Sequence, residues 1–141
     1  MGNPKYFLKM VGAANDPLHD RWVEEHSKLL TEVRTPKVPR AIGSGDLLVY
    51  YASGEQRLIA IARSTIDGDN APMEMGPGEE RWPYLIRVQV LLLIPTLGLA
   101  PKWDVLGIAP SSIQQQSYIE ITAATYAKAW EAIVERTSPR A

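Results

Sequence analysis

The most constraining feature of this chain is residues 81–94. Trp82, Tyr84, Ile86, Val88, Val90, Leu92 and Ile94 share one parity, while Leu85, Arg87, Gln89, Leu91 and Leu93 occupy the other. A period of two over such a stretch is the clearest β-strand signal in the chain. A strand of that length exceeds the usual five or six residues, so a bend or bulge is expected, as in a small barrel. Pro95 closes it by removing a ladder donor. A lone strand cannot satisfy its backbone, so the rest of the sequence must supply pairing partners.

Those partners are legible. Lys5-Tyr6-Phe7-Leu8-Lys9-Met10-Val11 reads as an opening strand ended by Gly12. Gly43-Ser44-Gly45-Asp46 turns into the strand Leu47-Leu48-Val49-Tyr50-Tyr51, and Ser53-Gly54-Glu55-Gln56 turns that into Arg57-Leu58-Ile59-Ala60-Ile61-Ala62-Arg63. Apolar residues at both parities predict a hairpin covered on both faces. Ala60 and Ala62 leave room for close approach by another element. Ser117-Tyr118-Ile119-Glu120-Ile121 is a last strand, and Thr122 caps a closing helix with Tyr126, Trp130, Ile133 and Val134 on one face. A further helix is expected from Asp16, as N-cap, and Pro17 to about Arg34, because Trp22, Val23, His26, Leu29, Leu30 and Val33 recur at helical spacing. Residues 97–108 suit a short irregular helix. Trp22 and Trp130 are assigned to the core; Trp103, beside Lys102, is assigned to a loop.

These elements add up to an α+β chain: a small bent β-barrel of five to six strands flanked by helices, in one domain spanning 1–141. Its 141 residues match a single core. No unbroken apolar run, Val90 to Ile94 included, approaches the ~20 residues of a membrane span. The segment Met1-Gly2-Asn3-Pro4-Lys5 has no apolar core of a signal peptide, so a cytoplasmic location and no membrane partner are expected.

Charge and composition exclude more than they assign. Fifteen Lys and Arg against sixteen Asp and Glu argue against a general polyanion binder. Asp67, Asp69, Glu74, Glu79 and Glu80 cluster in a Gly- and Pro-rich stretch that reads as a long mobile surface loop. Without those five acids the body carries about +4. The absence of cysteine removes thiolate nucleophiles, zinc–thiolate sites and iron–sulfur clusters. No nucleophile elbow, Walker loop, dinucleotide fingerprint or zinc-protease helix is present. His19 and His26 lack a ligand set at metal spacing, so neither a metal nor a cofactor is expected. His26 falls on the apolar helical face and is assigned a semi-buried place. Gly43-Ser44-Gly45 offers amides to an anion but suits a plain turn as well.

Read in order, five segments resemble the EVE family of PUA-like domains, relatives of the YTH and ASCH domains. Tyr6-Phe7-Leu8 is similar to that family's aromatic opening strand. Gly45-Asp46-Leu47-Leu48-Val49-Tyr50-Tyr51-Ala52-Ser53 resembles its Gly-Asp strand ending in Tyr-x-Ser, and Leu58-Ile59-Ala60-Ile61-Ala62 its small-residue strand. Arg81-Trp82-Pro83-Tyr84 sits where the family places a Trp, and Ser117 to Thr122 resembles the closing strand and cap. Two departures stand out. Met10-Val11-Gly12 follows the first strand where many members have Lys-Ser. Ser112-Ile113-Gln114-Gln115-Gln116 replaces an Arg-Gln-x-Arg segment. Exchanging guanidinium for amides favours a neutral hydrogen-bonding ligand edge over a phosphate.

The resemblance implies a non-enzymatic module, with no catalytic residue, that holds a modified base such as methylated or hydroxymethylated cytosine in DNA or RNA. Stacking supplies about 1–3 kcal/mol per base toward the cost of unstacking it. On that reading Tyr51, Trp82 and Tyr84 are candidate walls. Ser53, Ser112, Gln114, Gln115, Gln116 and Ser117 are candidate readers of the base edge. Lys37, Arg40, Arg57 and Arg63 are candidates for the phosphate rim. Tyr50 and Tyr51 point to opposite faces, so only one can line a given pocket. An effector nuclease or another protein is a conceivable partner. Two alternatives stay open: a module for a small metabolite or a protein, and an ASCH-like nucleoside or RNA hydrolase using Lys9 with a carboxylate.

Overall fold

The computed structural model describes residues 3–11, 18, 20–73, 82–108 and 117–137. Six strands form one curled sheet: β1 (Tyr6–Val11), β2 (Glu32–Thr35), β3 (Leu47–Ala52), β4 (Arg57–Ser64), β5 (Tyr84–Leu93) and β6 (Tyr118–Ile121). Their order is β2-β5-β4-β3-β1-β6. β1 and β3 run parallel, and every other pair is antiparallel. Two α-helices, α1 (Trp22–Glu25) and α2 (Ala123–Thr137), and four 3-10 turns complete the described chain. This is the expected α+β bent sheet. No described helix is long and apolar enough to cross a membrane.

The strand at 84–93 breaks register as its length requires. Ile61 pairs with Leu92 but Ala62 with Val90, so Leu91 is the extra residue that bends the ladder. A second irregularity lies between Tyr50 and Tyr51, where their β4 partners skip Ile59. Thr122 caps α2 as its sequence promised, its Oγ1 accepting the Thr125 N–H at 3.1 Å.

The helix expected over 17–34 is corrected. α1 spans four residues, a 3-10 turn follows at Ser27–Leu30, and Val33 lies in edge strand β2, paired with Ile86. Residues 32–35 carry a second pattern, in which Val33 and Thr35 are buried while Glu32 and Arg34 are half-exposed. Pairing with β5 decided between the two periodicities, with β-branched Val33 and Thr35 suited to a pleated surface. His26 is consequently exposed rather than semi-buried. Trp22 is fully buried, its Nε1 donating to the Ile94 carbonyl at 2.9 Å. Trp130 is corrected too: it remains 37% exposed on α2.

The part of the acidic loop that is described, 66–73, is tied down rather than free. Ser44 N–H donates to Asp67 at 2.8 Å, Arg40 meets Asp69 at 3.3 Å, and the Gly68 N–H donates to the Ile42 carbonyl. A Cβ on Gly68 would stand 1.5 Å from the Pro39 oxygen, so only glycine fits. Gly43 N–H donates to Asp46 at 2.7 Å and Gly45 N–H to the Ser64 carbonyl at 2.8 Å, so the turn's amides are taken by acceptors of the chain itself.

Register sorts the residues onto two faces. Phe7 and Lys9 share one face with Leu48, Tyr50, Ala60 and Ala62; Tyr6, Leu8, Val49 and Ile61 share the other. Tyr6 stacks on Tyr126 of α2 at 4.6 Å between ring centroids, so α2 covers that second face. The two alanines keep the first face shallow where the sheet curls.

Candidate functional site

Lys9 is the anomaly of the first face. It shares its side of β1 with Phe7 and Val11 and is 2% exposed. Strand alternation, not charge, dictates where it points, and a lysine so placed must keep its amine satisfied. Its Nζ donates to the Met10 carbonyl at 2.9 Å and to Ser117 Oγ at 3.2 Å. Ser117 is itself fixed, its carbonyl accepting the Met10 N–H at 3.0 Å. Burial lowers the amine from 10.5 to about 7.

The same Nζ lies 5.8 Å from the centroid of the Trp82 ring. Trp82 immediately precedes the β5 region, and β5 is three strands from β1, about 14 Å in a flat sheet. The curl of the sheet brings the two residues together. In this pair the amine is the buried member and the indole, 41% exposed, the accessible one. Tyr118, directly opposite Lys9 on β6, is half-buried and meets Phe7 edge-on at 5.7 Å. Burial raises its hydroxyl above the usual tyrosine range. The result is an accessible indole beside a buried amine, a serine hydroxyl and two further rings.

The other predicted residues are less gathered. Tyr51 faces the opposite side from Lys9, with Met10, and Ser53 lies just past β3, its N–H on the Val11 carbonyl at 3.0 Å. Tyr50 is the tyrosine on the Lys9 face. It is fully buried and its hydroxyl donates to the Leu29 carbonyl at 2.6 Å, which makes it core. Tyr84 starts β5 half-buried, opposite Thr35 and bridged to Met73. Ser112, Gln114, Gln115 and Gln116, like His19, lie outside the described residues.

The four basic residues do not form one patch. Arg57 and Arg63 stand at opposite ends of β4, six residues or about 20 Å apart. Arg57 donates to the Ala100 carbonyl at 2.6 Å, Arg63 to Gln89 at 2.5 Å, and Arg40 pairs with Asp69. Lys37 is exposed. Among the described residues no three His, Asp or Glu side chains are placed to hold a metal ion.

Sequence reasoning left Lys9, Phe7 and Tyr118 out of the binding set. The available signal was parity: in Tyr6-Phe7-Leu8-Lys9 the lysine takes the same side as the phenylalanine. Three open grooves lie elsewhere, lined around Glu25 to Arg34, around Asp20 with Glu55, and around Ile119 with Thr125; none presents a Trp, Tyr or Phe.

No protein-family model matches the chain, and no curated protein does. Solved structures do. A protein from Agrobacterium tumefaciens is 15% identical with a TM-score of 0.59, over 91% of this chain and 92% of that one. The YTH domain of Mmi1, solved in complex with RNA, is 9% identical with a TM-score of 0.62, over 94% and 79%. The YTH domain of Pho92, solved in complex with m6A, is 12% identical with a TM-score of 0.57, over 99% and 89%. The fold is the one these YTH domains share. At such identities the likeness is one of fold alone.

Proposed function

We propose that this chain is a non-enzymatic, EVE-like module that binds a modified nucleobase in DNA or RNA, with Trp82 as its stacking wall. The observation that carries the reading is the Lys9–Trp82–Ser117 cluster: an accessible indole beside a buried donor and a hydroxyl. Stacking accepts any base, whereas selectivity requires polar groups at its edge, and both are present within one cluster. The Mmi1 and Pho92 domains share this architecture and were solved with RNA and with m6A, which supports a base as ligand. The scattered and internally paired arginines are consistent with modest backbone affinity, so specificity rests on the base.

The test is titration of short single-stranded DNA and RNA bearing unmodified, 5-methyl- or 5-hydroxymethylcytosine, or N6-methyladenine, at low and moderate salt. Preference for one modified base, lost in Trp82→Ala, is the expected result. A flat response across the panel with a copurifying metabolite would overturn it in favour of a metabolite module. The hydrolase reading draws on one observation, an amine lowered to about 7. Turnover of an acetylated nucleoside, abolished by Lys9→Ala, would establish it instead.

A further inference from the structure

Resting on that reading, we propose that Lys9 is the specificity-determining residue of the site: it selects a base whose edge presents a hydrogen-bond acceptor or a negative charge and excludes bases that methylation has made cationic.

The geometry is a donor count. An ammonium has three N–H groups and no acceptor. Two are used, on the Met10 carbonyl and Ser117 Oγ, and one remains. Among the described residues no carboxylate pairs with this amine, so none of them balances its charge. A heterocycle stacked on Trp82 brings its rim to an amine that lies 5.8 Å from the same ring centroid. A carbonyl or carboxylate there completes the third hydrogen bond and balances the charge. A cationic rim meets a like charge in a water-poor setting, where repulsion is screened least.

Among the described residues, the surrounding ionisable groups do not offset this. Tyr118 of β6 and Tyr50 of β3 are register partners of Lys9, and burial raises both hydroxyls, keeping them neutral. Glu120 of β6 is exposed and stands opposite Phe7, not Lys9. Along β1's approach, Lys5 is paired with Asp46. Arg34 meets Glu32 and the Trp82 carbonyl. The amine's lowered value of about 7 adds a readout: an acceptor-bearing base holds the proton on Lys9, so its affinity falls as pH rises past neutrality.

The experiment titrates the full chain with one single-stranded oligonucleotide containing 5-carboxycytosine (anionic), 5-methylcytosine (neutral) or 3-methylcytosine (cationic) at its centre, at pH 6 and pH 8.5. At pH 6 the carboxylated base binds at least about tenfold more tightly than the cationic one, and the gap narrows at pH 8.5. In Lys9→Met the gap closes to within about threefold, because the carboxylated base loses far more affinity than 5-methylcytosine, which loses only a neutral acceptor's bond. If Lys9→Met does not fold, Lys9→Gln, which keeps a donor without the charge, and the native chain's pH profile decide the matter. A gap that survives removal of Lys9, or a cationic base bound as tightly as the anionic one, overturns this inference and leaves the base-binding reading standing. Failure of the native chain to bind any of the three overturns the reading itself.

Discussion

β1 carries two aromatic clusters, one on each face, and they differ in what lies at their base. On one side Tyr6 stacks on Tyr126, which tilts toward Trp130 at 6.2 Å. On the other, Phe7 meets Tyr118 and Lys9 reaches Trp82. The first cluster joins a strand to a helix and its interior is apolar. The second encloses an amine that costs folding energy to bury. Rings alone therefore do not mark a binding site; rings beside a polar group that folding would rather leave in water do.

The comparison is broken most forcefully at Lys9. Its amine titrates near 10.5 unfolded and near 7 folded. The unfolded chain holds more protons between those values, so Lys9 makes stability rise with pH across that window, and its cost is complete below about 7. The full linkage is on the order of 5 kcal/mol. Lys9→Met removes it and forfeits two hydrogen bonds of about 1 kcal/mol each. Denaturant midpoints should place the variant above the native chain by roughly 3 kcal/mol at pH 6, with the advantage gone by pH 10.5. A pH-independent difference would show that the amine is not desolvated.

Tyr126→Ala strikes the opposite cluster. It should cost about 2–3 kcal/mol, the low end for a large aromatic because Tyr126 is half-buried, and leave base affinity unchanged. Trp82→Ala is its converse, lowering base affinity by about 1–3 kcal/mol while moving stability by less than about 1, since the ring is 41% exposed. Both effects appearing together in either variant would dissolve the distinction between the clusters. The smallest change, Thr122→Ala, removes the α2 cap and should cost about 1 kcal/mol by thermal or urea unfolding, with base binding intact.

Much of this was legible from local chemistry. The bulge at Leu91 followed from strand length, the β3–β4 hairpin from two apolar runs around a turn, and the Thr122 cap from its hydroxyl at the head of a periodic segment. What failed did so where two patterns overlapped. Residues 22–33 carry helical spacing, yet 32–35 also alternate, and only the presence of β5 alongside made the strand the better choice. Trp130 shares α2's apolar face with Ile133, yet helical spacing does not say how far each residue of that face is buried: Ile133 is fully covered while the indole stays 37% exposed. The separation of Arg57 and Arg63, by contrast, follows from strand length alone, since they stand at the two ends of β4.

The sequence by itself determined five of the six described strands, the β3–β4 turn, the Thr122 cap, and which side of β1 each residue occupies, because these depend on periods of two and on neighbours within a few positions. Only the tertiary structure decided that Lys9 and Trp82, seventy-three residues apart, would meet. That contact depends on the curl accumulated across four strands, a property of the whole sheet that no local pattern encodes.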